Sequence, residues 1–264
     1  MINKDKVKRR FSRNAKQYDN YAMVQKSMGD ILIENIKGNH FKNILEIGCG
    51  TGYVTRALME NFEDAKITAV DIAAGMIEQT KSTIKSEQVE FICGDIEEIT
   101  LNDTYDLIIS NATFQWFNHL DATIYKLRKM INKDGILCFS IFGKDTFREL
   151  HEAFRKAKDL FNIKEDISAS QSFYSLDQLK DRVNNIGENM NVNLSEEYET
   201  EYFQSCKDFL YAVKKIGANH SGRNRNKTNP DFIQKVMDIY DYEHLENNKV
   251  RATYHNIFVY MKQE

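Results

Sequence analysis

The chain has 264 residues, enough for one large domain carrying a substantial insertion, and its 36 basic and 39 acidic side chains nearly cancel, leaving no nucleic-acid signature. No apolar run approaches the ~20 residues of a membrane span, and the charged N-terminus lacks the apolar stretch of a secretion signal, so neither membrane nor export is expected. Cys49, Cys93, Cys138 and Cys206 form no C-x-x-C pair and read as reduced thiols of a cytoplasmic protein.

Residues 1–40 read as two helices divided near Asp19 and Asn20, an N-terminal helical lid. The second helix repeats Met23, Val24, Met28, Ile31, Leu32 and Ile36 with roughly helical period. Residues 43–54 follow, with a short apolar strand ending in Glu46 and Ile47, then Gly48, Gly50 and Gly52 at every second position. Glycines at a strand-to-helix turn let the backbone turn sharply and let a ligand lie against bare peptide groups. A dinucleotide site would put its third glycine one residue later, where Tyr53 stands.

Residues 66–71 form a second predicted strand ending in Asp71, a carboxylate beside the crevice of a doubly wound sheet and able to accept both hydroxyls of a ribose. A third strand, 89–96, ends in Gly94, Asp95 and Ile96; a fourth, 105–112, ends near Asn111; a fifth is expected over 135–142. Alternation of strand and helix patterns through 43–142 predicts a parallel sheet with helices on both faces. Beyond residue 144 the pattern loosens into a helix over 146–159, a strand-like segment within 191–203, helices near 206–217 and 230–243, and a final strand over 252–260. The expected organisation is a core over 41–143, strand six plus a helical cap over the crevice in 144–250, and a last strand in 251–264 that completes the sheet. His119, His151 and His220 lack metal-ligand spacing, so no metal is expected, and His255 reads as a satisfied core histidine.

The G-x-G-x-G run after an acidic strand end resembles motif I of the class I S-adenosylmethionine (SAM) methyltransferases. The resemblance implies an α/β fold with a doubly wound, Rossmann-like sheet of seven strands, N-terminal helices and an inserted cap. It implies SAM as cofactor, held by Tyr18, Glu46, Gly48, Gly50, Gly52, Asp71, Ile72, Met76, Asp95, Ile96 and Asn111. Asp95 would take the adenine amine, Ile96 would lend backbone and apolar contact, and Asn111 would stand near the transferred methyl. Residues 111–114, Asn-Ala-Thr-Phe, lack the prolines found after strand four of enzymes that methylate nucleobase amines. Residues 111–117 resemble instead the same run in carboxylate methyltransferases; Trp116 and Phe117 there either wall the methyl channel or pack the next helix.

Outside the core, residues 9–19 carry an R-F-x-x-x-A-x-x-Y-D pattern, and residues 172–175, 214–219 and 253–255 add Ser-Phe-Tyr-Ser, Lys-Lys-Ile-Gly-Ala-Asn and Thr-Tyr-His. Together these resemble the BioC-type malonyl-acyl-carrier-protein O-methyltransferases of biotin synthesis over essentially the whole chain. That resemblance implies a methyl ester formed on the free carboxylate of a malonyl thioester, which masks a charge so that fatty-acid enzymes can extend the chain toward pimeloyl. Two catalytic residues are expected from it: Tyr18, closing over the cofactor, and Lys214, pairing with the malonyl carboxylate. A carboxylate nucleophile needs no general base.

Residues 1–26 hold eight basic against two acidic side chains, and residues 205–227 hold six against one. These concentrations are expected to attract an acidic acyl carrier protein, with malonyl-coenzyme A as the alternative form of the substrate. Other readings are a methyltransferase for a free small carboxylic acid or a quinone precursor, and a SAM-binding assembly factor that transfers nothing.

Overall fold

The sheet explains where a ligand can bind. A computed structural model describes residues 1–164, 168–217 and 229–264. Its strands are β1 (Asn43–Ile47), β2 (Lys66–Asp71), β3 (Val89–Cys93), β4 (Tyr105–Ser110), β5 (Ile131–Phe142), β6 (Met190–Phe203), β7 (Leu245–Glu246) and β8 (Lys249–Gln263). They form one sheet in the order β3-β2-β1-β4-β5-β8-β6, with β7 paired to β8. The first five strands are parallel, and β8 runs antiparallel between β5 and β6. Connections from β1 depart to opposite sides, so a crevice opens beyond the ends of β1 and β4.

The strand count departs from the expected seven only through β7. Asn247 and Asn248 adopt φ of 51° and 62°, the left-handed pair of a tight two-residue hairpin, and this folds β7 onto the start of β8. The central strands show no polar alternation because both of their faces are covered. Ile44, Leu45, Leu107, Ile108 and Ile109 are all 0% exposed.

Helices α2 (Met23–Ile36), α3 (Tyr53–Asn61), α6 (Arg148–Leu160), α8 (Cys206–Lys215) and α9 (Pro230–Glu243) bury one apolar cluster on one face. α5 (Leu120–Arg128) and α7 (Leu176–Ile186) cover the other with Leu127, Leu179 and Val183. Each such side chain, fully buried, stabilises the fold by roughly 1.5–3 kcal/mol. The C-terminal helices start where the sequence supplies caps. Ser175 and Gln178 form a reciprocal capping box on α7, Ser205 caps α8, and Asn229 caps α9 ahead of Pro230. No helix among the described residues is long and apolar enough to cross a membrane.

α1 (Lys4–Tyr18) lies across the crevice, capped by Asn3. It crosses the start of α4 (Ala74–Thr83) at Gly75, where a side-chain carbon would come within 2.6 Å of the Ser12 carbonyl oxygen. Polar ties hold both ends. Asn118 bonds the backbone of Ile2 on both its N–H (2.6 Å) and its carbonyl (3.1 Å). Asn14 donates to the Lys214 carbonyl (3.2 Å), and Lys215 donates to Gln17 (2.6 Å).

Candidate active site

Four parallel strand ends and α1 enclose a cavity of about 670 Å³. Its roof is Lys4, Val7, Phe11 and Tyr18 from α1. Its floor contains Gly48, Gly50, Asp71, Ile72, Met76, Gly94, Asp95, Ile96, Asn111 and Ala112, and Trp116 and Phe117 close one side. Nine of the eleven expected cofactor residues thus line one space.

The three motif glycines do different work. Gly48 (φ +76°) turns the chain where a Cβ would sit 2.0 Å from the Thr113 hydroxyl. Gly50 (φ +55°) points its bare Cα into open space and donates its N–H to Asp71 Oδ2 at 2.9 Å. Gly52 does not reach the cavity, which corrects its expected role: a Cβ there would meet Thr80 and Ile84 at 2.6 and 2.9 Å, so it is the close contact between α3 and α4.

Asp71 is 8% exposed, and its other oxygen accepts the Ala73 N–H at 2.7 Å. Burial pushes its carboxyl up to about 6, against the pull of those two N–H groups. Each oxygen keeps a lone pair for a further donor. At the β3 end, Asp95 is paired to Lys4 Nζ at 3.1 Å, and Lys4 also reaches Glu97 at 2.5 Å. Lys4 read as one of many N-terminal charges; only its contact across the cavity sets it apart.

Glu46 faces a separate cleft of about 390 Å³ that branches past Tyr18, Asp19, Lys26, Gly48, Gly50 and Thr51. Thr55 donates to it at 2.6 Å, and burial raises its carboxyl to about 7. Asn111 lines the main cavity with its amide already engaged. It accepts from Ser140 Oγ at 2.6 Å and donates to the Gln25 carbonyl at 2.7 Å, tying the start of α2 to the end of β4.

A second cavity of about 520 Å³ adjoins the first, sharing Phe11, Tyr18, Ala112 and Trp116 with it. Its other walls are Gln25, Gln115, Phe142, Phe147, Ser170, Gln171, Phe173, Ile216 and Tyr254. Among the described residues, no carboxylate, imidazole, ammonium or guanidinium lines it. Its polar groups are neutral amides and hydroxyls. His151 stands one layer back, bonded to Ser170 Oγ at 2.9 Å and held below its ordinary range by burial. Tyr18 borders both cavities and the cleft. Burial, with Asp71 and Asp19 nearby, pushes its phenol far up, so it stays a neutral O–H donor.

Lys214 is the other correction. The buried side of α8 is Cys206, Phe209 and Val213, which turns Lys214 outward to solvent, and it lines neither cavity. Its neighbour Ile216 does reach the second cavity. Ala218, Asn219, His220, Arg223, Arg225 and Lys227 lie outside the described residues. His255 is 1% exposed and satisfied, with Nε2 2.8 Å from Glu196.

The residues present fit a nucleoside-bearing cofactor. They provide a bare glycine turn, a buried carboxylate with free lone pairs, an apolar slot of Ile72, Met76 and Ile96, and a polar end at Asp95.

Residues 44–135 match the model of a family described as a methyltransferase domain. Three relatives bear the name malonyl-[acyl-carrier protein] O-methyltransferase. That of Priestia megaterium is 44% identical over 97% of this chain and 96% of its own; that of Acetivibrio thermocellus is 43% identical over 98% and 94%; and that of Bacillus cereus is 42% identical over 100% and 99%. Among solved structures, the YcgJ protein of Bacillus subtilis superposes with a TM-score of 0.64 at 13% identity, covering 90% of this chain and 98% of its own. The plantazolicin methyltransferase BpumL in complex with SAH superposes with a TM-score of 0.52 at 14% identity, covering 98% and 96%. These two likenesses are of fold.

Proposed function

Because the chain belongs to the malonyl-[acyl-carrier protein] O-methyltransferase family, we infer that it transfers a methyl group from SAM to the free carboxylate of a malonyl thioester. The observation that carries this reading is the acceptor cavity, whose described walls hold no carboxylate, imidazole or amine, and whose Tyr18 and Tyr254 phenols are pushed far up by burial. A phenol or carbon acid must lose a proton on the way to its ether or methylated product, whereas a carboxylate attacks as it stands. A quinone precursor is therefore a poorer fit than a carboxylic acid.

SAM supplies an electrophilic methyl on a sulfonium; the protein supplies place and dryness. In this reading Gly48 and Gly50 present backbone to the cofactor, and Asp71 accepts the ribose hydroxyls. Met76, Ile72 and Ile96 pack the base, and Asp95 meets its amine. The cleft at Glu46, Lys26 and Thr51 suits an amino-acid tail carrying both charges. Tyr18 and Trp116 stand where the two cavities join, so a methyl moving from cofactor to acceptor would cross beside them. Phe11, Phe142, Phe147 and Phe173 exclude water around the attacking oxygen.

The acyl carrier protein is the proposed form of the substrate. Exposed Arg9, Arg13 and Lys16 on α1 lie on the helix that is stitched to α8, which carries exposed Lys214. Among the described residues, these cations of the two basic segments thus share one surface beside Phe11 and Ile216 of the acceptor cavity, suited to an acidic carrier. Incubation with SAM and malonyl-carrier protein, followed by intact-mass spectrometry, tests the function. A gain of one methylene unit that an esterase removes is expected; an unchanged mass with SAM bound defeats it.

A further inference from the structure

We propose that Gln25 and Trp116 hold the acceptor carboxylate through neutral N–H donors and so position its oxygen for attack. This rests on the carboxyl-methyltransferase reading above. Gln25 sits in the first turn of α2, 7% exposed, on the same buried side as Val24 and Met28. Its main-chain carbonyl is bonded by Asn111; Gln25 borders both the acceptor cavity and the Glu46 cleft, and no hydrogen bond from its side-chain amide is made among the described residues. Trp116 is 8% exposed and borders both cavities. Phe11 meets its ring edge-on, with centroids 5.7 Å apart, and its indole N–H likewise has no protein partner among the described residues. Neither group is an orphaned buried atom, so both are open to the space they border, where they can donate to a ligand that enters it.

Neutral donors also suit the chemistry better than the lysine expected from the sequence. As the O–CH₃ bond forms, the carboxylate loses its negative charge to the ester while the sulfonium loses its positive charge. A cationic partner would stabilise the charged ground state more than the transition state and slow the reaction. N–H donors compensate the desolvation of the carboxylate, hold one oxygen, and leave the other free to attack. They also bind the ester product less well than the substrate, which favours release.

Gln25→Leu and Trp116→Phe keep the apolar walls and remove the donors. Each should raise KM for malonyl-carrier protein roughly tenfold to hundredfold, with SAM affinity by calorimetry falling far less, and retained SAM binding also shows that the variants fold. A binding arm needs no turnover. With S-adenosylhomocysteine (SAH) present, the wild type should prefer malonyl- to acetyl-carrier protein, and Gln25→Leu should lose that preference by weakening the malonyl form alone. Unchanged KM and unchanged preference overturn the clamp, as does equal weakening of both carriers. A wild type that prefers malonyl-carrier protein but leaves it unmethylated upholds the clamp and defeats the reading beneath it.

Discussion

Lys4 Nζ lies 3.1 Å from the carboxylate of Asp95, so the first turn of the N-terminal helix is pinned to the strand end assigned to the adenine amine. Ammonium and amine compete for the same oxygens. Lys4→Met should free Asp95 and loosen α1, raising both association and dissociation rates of SAM by about tenfold. Trp116, the sole tryptophan, lines the cavity and gives a stopped-flow fluorescence signal. Unaltered rates would mean that the pin does not govern entry.

Asp71 predicts how cofactor binding depends on pH. Burial raises its carboxyl to about 6, and only the ionised form accepts two ribose hydroxyls. Binding lowers that pKa, so the Asp71 contribution to SAM affinity should be full well above 6 and fall as pH drops through that value. Asp71→Asn should bind about tenfold more weakly at neutral pH and lose this inflection. Calorimetry from pH 5 to 8 distinguishes the two; a profile that is the same in both proteins removes Asp71 from the ribose.

Gly48 and Gly50 should separate folding from binding. Gly48→Ala drives a methyl into Thr113 at a left-handed backbone position and should destabilise the fold by roughly 2–5 kcal/mol. Gly50→Ala meets open space and should destabilise by only about 1–2 kcal/mol, while its methyl intrudes on the cofactor and removes SAM binding. Urea midpoints and calorimetry report the two effects; matching losses in both variants would contradict the division.

The carrier surface predicts a selective kinetic defect. Reversing Arg9 and Arg13 to Glu should raise KM for malonyl-carrier protein about threefold to tenfold, and added salt should mimic the change in the wild type. Malonyl-coenzyme A should respond far less. Lys214→Ala, at an exposed position that lines neither cavity, should behave as a weak member of this surface. Equal losses on both substrates would return these charges to ordinary solvated helix faces.

The sequence revealed most where local chemistry and position coincide. Gly48, Gly50, Asp71, Asp95 and Ile96 sit at strand ends, and the parallel topology alone brings strand ends together. Gly52 shares the motif spacing, but one turn into the bend its Cα faces Thr80, a contact set by where α4 lies. Lys214 lies in a family-like segment, whereas the phase of α8 decides which side of that segment is buried. Gln25 left a faint mark as a polar residue beside the apolar repeat of α2. Lys4, Ser170 and Gln171 left none, because their role comes from contacts across 91 residues of chain or from loops without periodicity.

Phe11 and Tyr18 belong to the roof of one cavity and the wall of the other, and both come from α1. Any displacement of that helix to admit the cofactor would therefore open the acceptor cavity with it. Turnover would then run with cofactor first on and SAH last off. The spent cofactor would compete with SAM for the open form of the protein, so the rate of methyl-ester formation would answer to the ratio of the two and not to the supply of SAM alone.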